Sequence, residues 1–305
     1  MKDEKEYKSG FVALVGRPNV GKSTLVNCLL KQKIAAVSPK PQTTRRRQLG
    51  ILTTDKAQLI FVDTPGVHQP LHLLGQYMND EALAVLSDAD IILWLVDVSL
   101  PPNDEDLLLA QAMTKIETLP PVMLVLNKAD QVGTEQLELT GAAYHQLLPA
   151  ATPLPVSALY GDGCEQLMQQ VISLLPEGPP YYDNDQVTDL YEREIAVDFI
   201  REAALNNLRE EVPHEMAVRL DSYEDRGETA AYIAATLFVN RDSHKGIVIG
   251  KGGAMLKTIG SHARQQIEAL TGRKVFLELR VKVSKNWRNN ADLLRLLGYS
   301  SRAGE

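Results

Sequence analysis

Eight consecutive residues, Gly16-Arg17-Pro18-Asn19-Val20-Gly21-Lys22-Ser23, carry the first pattern that could do chemistry. Two spaced glycines ahead of a lysine and a hydroxyl residue are what a phosphate-cradling loop requires. The glycines let successive backbone N–H groups turn inward on an anion, at the positive end of the helix that follows. The Lys22 ammonium would neutralise charge on the β and γ phosphates, and the Ser23 hydroxyl would bind magnesium. An apolar run, Phe11–Val15, precedes the loop and a helix-like stretch, Lys22–Lys31, follows it, which is the context the pattern demands.

Which nucleotide is bound is decided further on. Asn127-Lys128-Ala129-Asp130 follows the apolar run Val122–Leu126, at the edge of an α/β sheet where ligands bind. A carboxylate at Asp130 can accept hydrogen bonds from the ring N–H and exocyclic amine of guanine. Adenine offers no such pair and would leave the charge unmatched. Ser157-Ala158, after the next strand, would supply a backbone N–H to the guanine carbonyl. Asp63-Thr64-Pro65-Gly66 closes the run Leu59–Val62. There Asp63 would hold magnesium through water, and the Gly66 N–H would sense the γ phosphate and pass its loss to the following loop. Between the two lies Pro41-Gln42-Thr43-Thr44-Arg45-Arg46-Arg47, in which Thr44, or alternatively Thr43, would complete the magnesium shell when GTP is bound. The expected nucleotide contacts are thus Gly16, Arg17, Pro18, Asn19, Val20, Gly21, Lys22, Ser23 and Thr24, then Asp63, Thr64, Pro65 and Gly66, then Asn127, Lys128 and Asp130, and finally Ser157, Ala158 and Leu159.

A second site is expected in the C-terminal third. The formal net charge of −7 conceals a segregation: Arg241 to Arg288 holds 11 Lys or Arg against Asp242, Glu268 and Glu278, a local +8 that leaves about −15 elsewhere. Such clustering points to a polyanion. Within it, Gly250-Lys251-Gly252-Gly253 forms a GxxG loop, read as lying between a strand and a helix, where it would clamp a single-stranded RNA backbone. Lys245, Lys257, Arg264, Lys282, Lys285 and Arg288 are candidate phosphate contacts. No Lys-Ser or Lys-Thr pair follows the last glycine, so this is not a second nucleotide loop.

The elements that must position these residues fall into two groups. Apolar runs at Phe11–Val15, Leu59–Val62, Ile91–Val96, Val122–Leu126 and Leu154–Val156 read as parallel strands covered on both faces. Helical stretches at Lys22–Lys31, Leu73–Leu86, Asp104–Glu117, Glu135–Leu148 and Glu165–Leu175 alternate with them, and Gln48–Thr54 reads as a hairpin partner of Leu59–Val62. This is an α/β, doubly wound, mostly parallel sheet, expected over residues 1–178. Three prolines in Pro176–Pro180 break the pattern and open a linker, placed at 179–189. Residues 190–305 change order: a helix over Tyr191–Glu210, strands at Met216–Tyr223 and Thr229–Asn240 around Asp225-Arg226-Gly227, a helix at Ala254–Thr271 and a strand at Lys274–Val283, forming a small α+β domain.

Composition excludes several classes. The longest apolar run, Ile91–Val96, is far short of the ~20 residues that span a bilayer. Met1–Gly10 is charged and lacks a secretory core. Cys28 and Cys164 are the only cysteines, too few for a disulfide framework or zinc site, so no disulfide-linked partner is expected. The chain reads as a cytoplasmic monomer. His68 and His72 read as exposed histidines of the loop after Gly66, Trp94 as core, Cys28 as packing, and Asp104-Glu105-Asp106 as a helix start.

The series Gly16–Ser23, Gln42–Arg45, Asp63–Gly66, Asn127–Asp130 and Ser157-Ala158 resembles the translation-factor-related GTPases. Val248–Gly253, Lys257–Gly260, Leu277–Val283, Trp287 and Leu297-Gly298-Tyr299 extend the resemblance to the Era family and its type II KH domain, over nearly the whole chain. The resemblance implies GTP/GDP and Mg2+ as ligands, binding near the 3′ end of small-subunit ribosomal RNA, a role in 30S maturation, and peripheral membrane contact. Val67 stands where Ras-like enzymes carry a water-orienting glutamine, so slow intrinsic hydrolysis is expected. Asn19 matches the asparagine that holds potassium in related GTPases. Lys22, Thr44, Gly66 and Asn19 are therefore the expected catalytic set, with K+ or RNA as stimulants. Two other readings compete: an RNA-binding scaffold with a structural guanine nucleotide and little turnover, and a small-molecule phosphotransferase, which would have no need of Asp130.

Overall fold

The computed structural model describes residues 7–299; residues 1–6, part of the charged N-terminal stretch, and residues 300–305 lie outside the described residues. The chain divides into two compact units, the first comprising Met1–Lys33, Thr44–Gln69 and Met78–Asp189, the second Ile34–Thr43, Pro70–Tyr77 and Leu190–Glu305. Two excursions, Ile34–Thr43 and Pro70–Tyr77, thus belong with the second unit, which a division at a single linker does not anticipate.

The first unit contains β1 (Lys8–Val15), α1 (Lys22–Leu30), β2 (Gln48–Thr53), β3 (Ala57–Asp63), β4 (Ile91–Asp97), α3 (Asp104–Thr114), β5 (Val122–Asn127), α4 (Thr134–Leu147), β6 (Thr152–Pro155) and α5 (Cys164–Leu174). A further helix, α2, runs Leu73–Ala84. The strand order is β2-β3-β1-β4-β5-β6, parallel except for β2, which pairs antiparallel with β3. Every residue of β3, β4 and β5 is buried, as a strand covered on both faces must be, and this is why those runs are apolar without alternation. The order reverses about β1, whose neighbours are β3 and β4, so the loop after β1 opens at the switch point where α/β sheets bind ligands. Trp94 is fully buried in this core.

The second unit contains α6 (Glu192–Asn207), β7 (Met216–Asp225), β8 (Ala230–Val239), α7 (Asp242–Ile249), α8 (Ala254–Thr271), β9 (Lys274–Val283) and α9 (Ala291–Leu296). Its sheet is ordered β7-β8-β9, antiparallel then parallel, with a register shift between Leu220 and Ser222. Ile233, Ala235, Leu237 and Val239 of β8 join Phe199, Ile200, Ile259, Ala263 and Ile267 of α6 and α8 in one core. Sequence periodicity missed α7. Its eight residues hold Gly246 and the polar or charged Asp242, Ser243, His244 and Lys245, and only its last three are apolar, too short a run to show a helical stripe. The GxxG loop therefore joins two helices, α7 and α8, and does not follow a strand as expected.

Candidate functional site

The loop after β1 wraps Lys22, whose ammonium is buried and donates to the carbonyls of Gly16 (3.0 Å) and Arg17 (3.1 Å). Burial pushes its pKa down to about 8, with the carboxylates of Asp63 and Glu105 partly opposing the shift. A buried cation held by neutral carbonyls is poised to exchange them for an anion. Three hard oxygens converge beside it. The Ser23 hydroxyl donates to Asp63 Oδ2 at 2.6 Å and shares a 2.8 Å hydrogen bond with Thr44 Oγ1, which lies 3.4 Å from the same carboxylate oxygen. Two hydroxyls and a carboxylate are the donor chemistry of a magnesium site, so the residues present fit the ion. The alternative threonine, Thr43, turns its hydroxyl to the Lys40 carbonyl at 2.8 Å.

Several residues expected at the nucleotide use their side chains elsewhere. Arg17 faces Asp106 at 3.5 Å, both buried, so the loop offers the backbone of this residue and not its guanidinium. Asp106 is also the N3 residue of the α3 capping box with Asn103. Beyond the helix start that the acidic run implies, its carboxyl is pulled up by burial and lies 3.4 Å from Tyr144 Oη. Thr64 is fully buried and donates to the Leu14 carbonyl at 2.6 Å. Gly66 abuts the first loop: a Cβ placed there would lie 2.5 Å from the Pro18 nitrogen. The next residue, Val67, donates its N–H to the Gly16 carbonyl at 3.2 Å, and its side chain is core. Asn19, with φ 65°, stands exposed at the loop tip. His68 and His72 are half-buried rather than exposed; His68 Nδ1 lies 3.1 Å from the Gly66 carbonyl.

The residues expected to read the base assemble at the ends of β5 and β6. Asn127 donates to the Val20 carbonyl (2.7 Å) and accepts from the Ala158 N–H (2.9 Å). Lys128 pairs with Asp97 at 2.6 Å. Burial raises the Asp97 pKa, but hydrogen bonds from Lys128 and Ser99 outweigh it and hold the carboxyl below its ordinary value. Asp130 is exposed and accepts a 2.5 Å hydrogen bond from Ser157 Oγ on one oxygen. Ala158 is buried, whereas Leu159 projects into solvent.

In the second unit, Gly250, Gly252 and Gly253 all have positive φ, which lets the backbone turn tightly between α7 and α8. A groove of about 500 Å³ runs from Gly253 along Lys257, Gly260 and Arg264 on one wall and Val275, Phe276 and Leu279 on the other. Lys257 and Arg264 are brought to it; Lys245 stands on α7. Lys282 is exposed on β9 between Val281 and Val283, which pack on the core, so it occupies the opposite face of the strand. Lys285 is exposed, while Arg288 is paired with Glu215 at 2.9 Å. Phe276 was missed. It is 66% exposed and stacks on Tyr232 with ring centroids 5.9 Å apart, and the Arg226 guanidinium lies over the Tyr232 ring, 4.8 Å from its centroid. Its signal was present: it is the apolar residue on the polar phase of β9, among Lys274, Glu278, Arg280 and Lys282.

Residues 11–128 match the family model described as 50S ribosome-binding GTPase, and residues 211–288 match the KH domain model. The chain is 44% identical over 295 residues to GTPase Era of Ruminiclostridium cellulolyticum, covering 97% of this chain and 98% of that one. It is 46% identical over 300 residues to GTPase Era of Lactobacillus helveticus, at 98% and 99% coverage. Among solved structures, that of Era with MgGDPNP and nucleotides 1506–1542 of 16S ribosomal RNA superposes with a TM-score of 0.92 at 39% identity, covering 96% of this chain and 99% of that one. An Aquifex aeolicus Era variant bound to GDP·AlF4− gives 0.91 at 39% identity, with the same coverage. These likenesses run over both units at near full length, and the chain belongs to the GTPase Era family.

Proposed function

We propose that this chain is a GTP-hydrolysing switch that binds small-subunit ribosomal RNA near its 3′ end and acts in 30S maturation. The observation that carries the reading lies at two consecutive residues. Thr44 shares hydrogen bonds with Ser23 and Asp63, whose oxygens would hold magnesium, while the carbonyls of Thr43 and Gln42 accept from the buried guanidinium of Arg201 on α6. Glu202, also buried, accepts from the Val37 N–H at 3.1 Å, and Lys40 donates to the carbonyls of Leu205 and Leu208. The segment that would answer the γ phosphate is thereby bonded to the helix that cores the KH unit. Loss of that phosphate releases Thr44, and the strain falls next on the Arg201 bonds.

Within this reading Lys22 holds the β and γ phosphates, the Gly66 N–H meets the γ phosphate, and Asp130 with Ala158 selects guanine. Magnesium would neutralise phosphate charge, and Ser23, Thr44 and Asp63 are the residues that would hold it. Val67, being core, cannot orient water, so hydrolysis draws on added positive charge at Asn19, where we place K+, and on the RNA-bound state. RNA enters the groove between α8 and β9, its phosphates at Lys251, Lys257 and Arg264 and a base on Phe276. We read residues 1–178 as the GTPase domain, 179–189 as linker and 190–305 as the KH domain, and the whole as a cytoplasmic monomer with peripheral membrane contact. Among the described residues no helix is long and apolar enough to cross a membrane.

The test is GTP turnover with and without RNA ending in the small-subunit 3′ sequence, in potassium and in sodium buffer. Faster turnover with that RNA supports the switch. GTP bound but never hydrolysed under any of the four conditions overturns it in favour of a scaffold.

A further inference from the structure

The two cysteines, 136 residues apart in sequence, meet in the folded first unit. Cys28 Sγ donates to Cys164 Sγ at 3.6 Å. Cys28 sits in the last turn of α1, the helix that starts with Lys22 and Ser23, and Cys164 is the first residue of α5. Chance pairing of the only two thiols in 305 residues would serve packing equally well with one sulfur and one methyl group, so the pair invites a chemical reading.

From this geometry we infer that Cys28 and Cys164 form a reversible dithiol–disulfide pair whose oxidation staples α1 to the Ser157–Asp162 loop and slows release of guanine nucleotide. The consequence for nucleotide rests on reading Ser157 and Ala158 as base contacts; the sulfur chemistry does not. Three features support the pair. Cys28 is half-buried and lines an open cleft of about 400 Å³ with Lys31, Lys33, Tyr160 and Gly161, so a small oxidant reaches its sulfur. Cys164 is buried behind it, available as the resolving sulfur but shielded from further oxidation. The gap needs to close only from 3.6 Å to the ~2.05 Å of a disulfide, shared between two helix ends.

Peroxide serves as the oxidant. The Cys28 thiolate attacks one peroxide oxygen, the O–O bond breaks, and hydroxide leaves with the electron pair, giving the sulfenic acid. The Cys164 sulfur then attacks Cys28 Sγ, the S–S bond forms, the S–O bond breaks, and the oxygen departs as water with the Cys164 proton. Two thiols and one peroxide become one disulfide and two waters; the thiols lose two electrons and two protons. An external dithiol reverses the reaction by exchange. Burial, with the Cys28 hydrogen bond adding to it, pushes the Cys164 thiol up to about 12, which makes the second step slow at neutral pH and faster in base. Pairs of this kind in reducing compartments are transient and sensing rather than structural.

The staple acts on the base-reading loop because Cys164 closes it. Its N–H donates to the Gly161 carbonyl at 3.1 Å, the Gly161 N–H to the Ser157 carbonyl at 2.7 Å, and the Ser157 N–H to the Asp162 carbonyl at 2.9 Å. Tying Cys164 to α1 fixes this small loop against the helix that carries the phosphate residues, and a nucleotide gripped by both must wait for them to part.

The experiment loads the full chain with fluorescent GDP, treats it with hydrogen peroxide, and reads free thiols, peptide masses and GDP release. The expected result is loss of both thiols, one linked peptide pair containing Cys28 and Cys164, reversal by dithiothreitol, and release slowed by about threefold or more. Cys28→Ser and Cys164→Ser chains should release GDP at the reduced wild-type rate before and after peroxide. Oxidation of Cys28 alone, cross-linking between chains, or an internal link with unchanged release overturns the inference. A reduced chain that binds adenine nucleotides as well as guanine would instead sink the base-reading assignment, and the two failures are distinguishable.

Discussion

The side chain of Asn127 lies 2.7 Å from the Val20 carbonyl, and through its other terminal atom it also holds the Ala158 N–H, so one amide joins the phosphate loop to the base-reading loop. On the proposed function, this amide sets the distance between the loops that grip the two ends of a nucleotide. Asn127→Ala removes both hydrogen bonds at about 0.5–1.5 kcal/mol each and should weaken GDP binding by roughly 5- to 100-fold. Titration of fluorescent GDP measures it; a change under twofold would mean the loops hold their spacing without the amide.

Asp130 keeps one oxygen on Ser157 and presents an exposed carboxylate edge. Asp130→Asn replaces an acceptor with an amide donor opposite the guanine amine. GDP affinity should fall by roughly 10²-fold while xanthosine diphosphate, which has a carbonyl there, gains. Competition between the two nucleotides decides the matter.

Lys22 gives a pH signature whose sign follows from its burial. Its folded, nucleotide-free pKa is about 8, and bound phosphates favour the charged form, raising it. Below pH 8 this group is charged in both states and contributes no pH dependence. As pH rises above 8 the free protein loses the proton that binding needs, and affinity should drop by up to about tenfold per pH unit until the bound-state pKa is reached. Calorimetry in two buffers of different ionisation enthalpy should show proton uptake on binding at pH 9 and none from this group at pH 7.

Gly66→Ala tests the closure of the second loop on the first. The added carbon would sit 2.5 Å from the Pro18 nitrogen and 2.7 Å from its Cα, both backbone, so something must shift. Hydrolysis should slow by at least about tenfold, because a misplacement of even 1 Å is costly in catalysis, while GDP affinity changes little. Single-turnover kinetics separates the two.

The RNA groove carries a paired prediction. Exchanging Lys251 for Glu together with Gly252 for Asp should cut RNA affinity by at least about tenfold by reversing charge at the loop, and leave GTP affinity intact. Phe276→Ala should cost about 1–3 kcal/mol of RNA binding if a base stacks there. Fluorescence anisotropy with the small-subunit 3′ sequence reads both; unchanged affinity in both variants would remove RNA from this groove.

The α/β half was legible because burial on both faces writes itself into strands without alternation, and because the loops that follow β1, β3 and β5 have residue types few other structures need. What escaped the sequence was where side chains point. Nothing local distinguishes Arg17, turned onto Asp106, from a P-loop arginine facing phosphate; the partner is 89 residues away and brought near only by the sheet. The helix α7 escaped because it is eight residues long, with apolar residues only in its last turn after Gly246. Arg201 and Glu202 lie unremarked within the helix expected over Tyr191–Glu210, yet both are buried and bonded to a segment far upstream. Tertiary partners decide such cases, and periodicity is blind to them.

The hairpin of β2 and β3 acts as a ruler. Gln48, four residues beyond Thr44, pairs with Asp63, and every later pair counts back from the turn at Thr54, where the Thr54 N–H meets the Ala57 carbonyl. A single-residue slip anywhere in that ladder would turn each side chain to the other face and carry Thr44 out of step with the carboxylate it must meet. The turn itself is exposed at Asp55 and Lys56, at the opposite end of the hairpin from the Gln48–Asp63 pair whose register it sets.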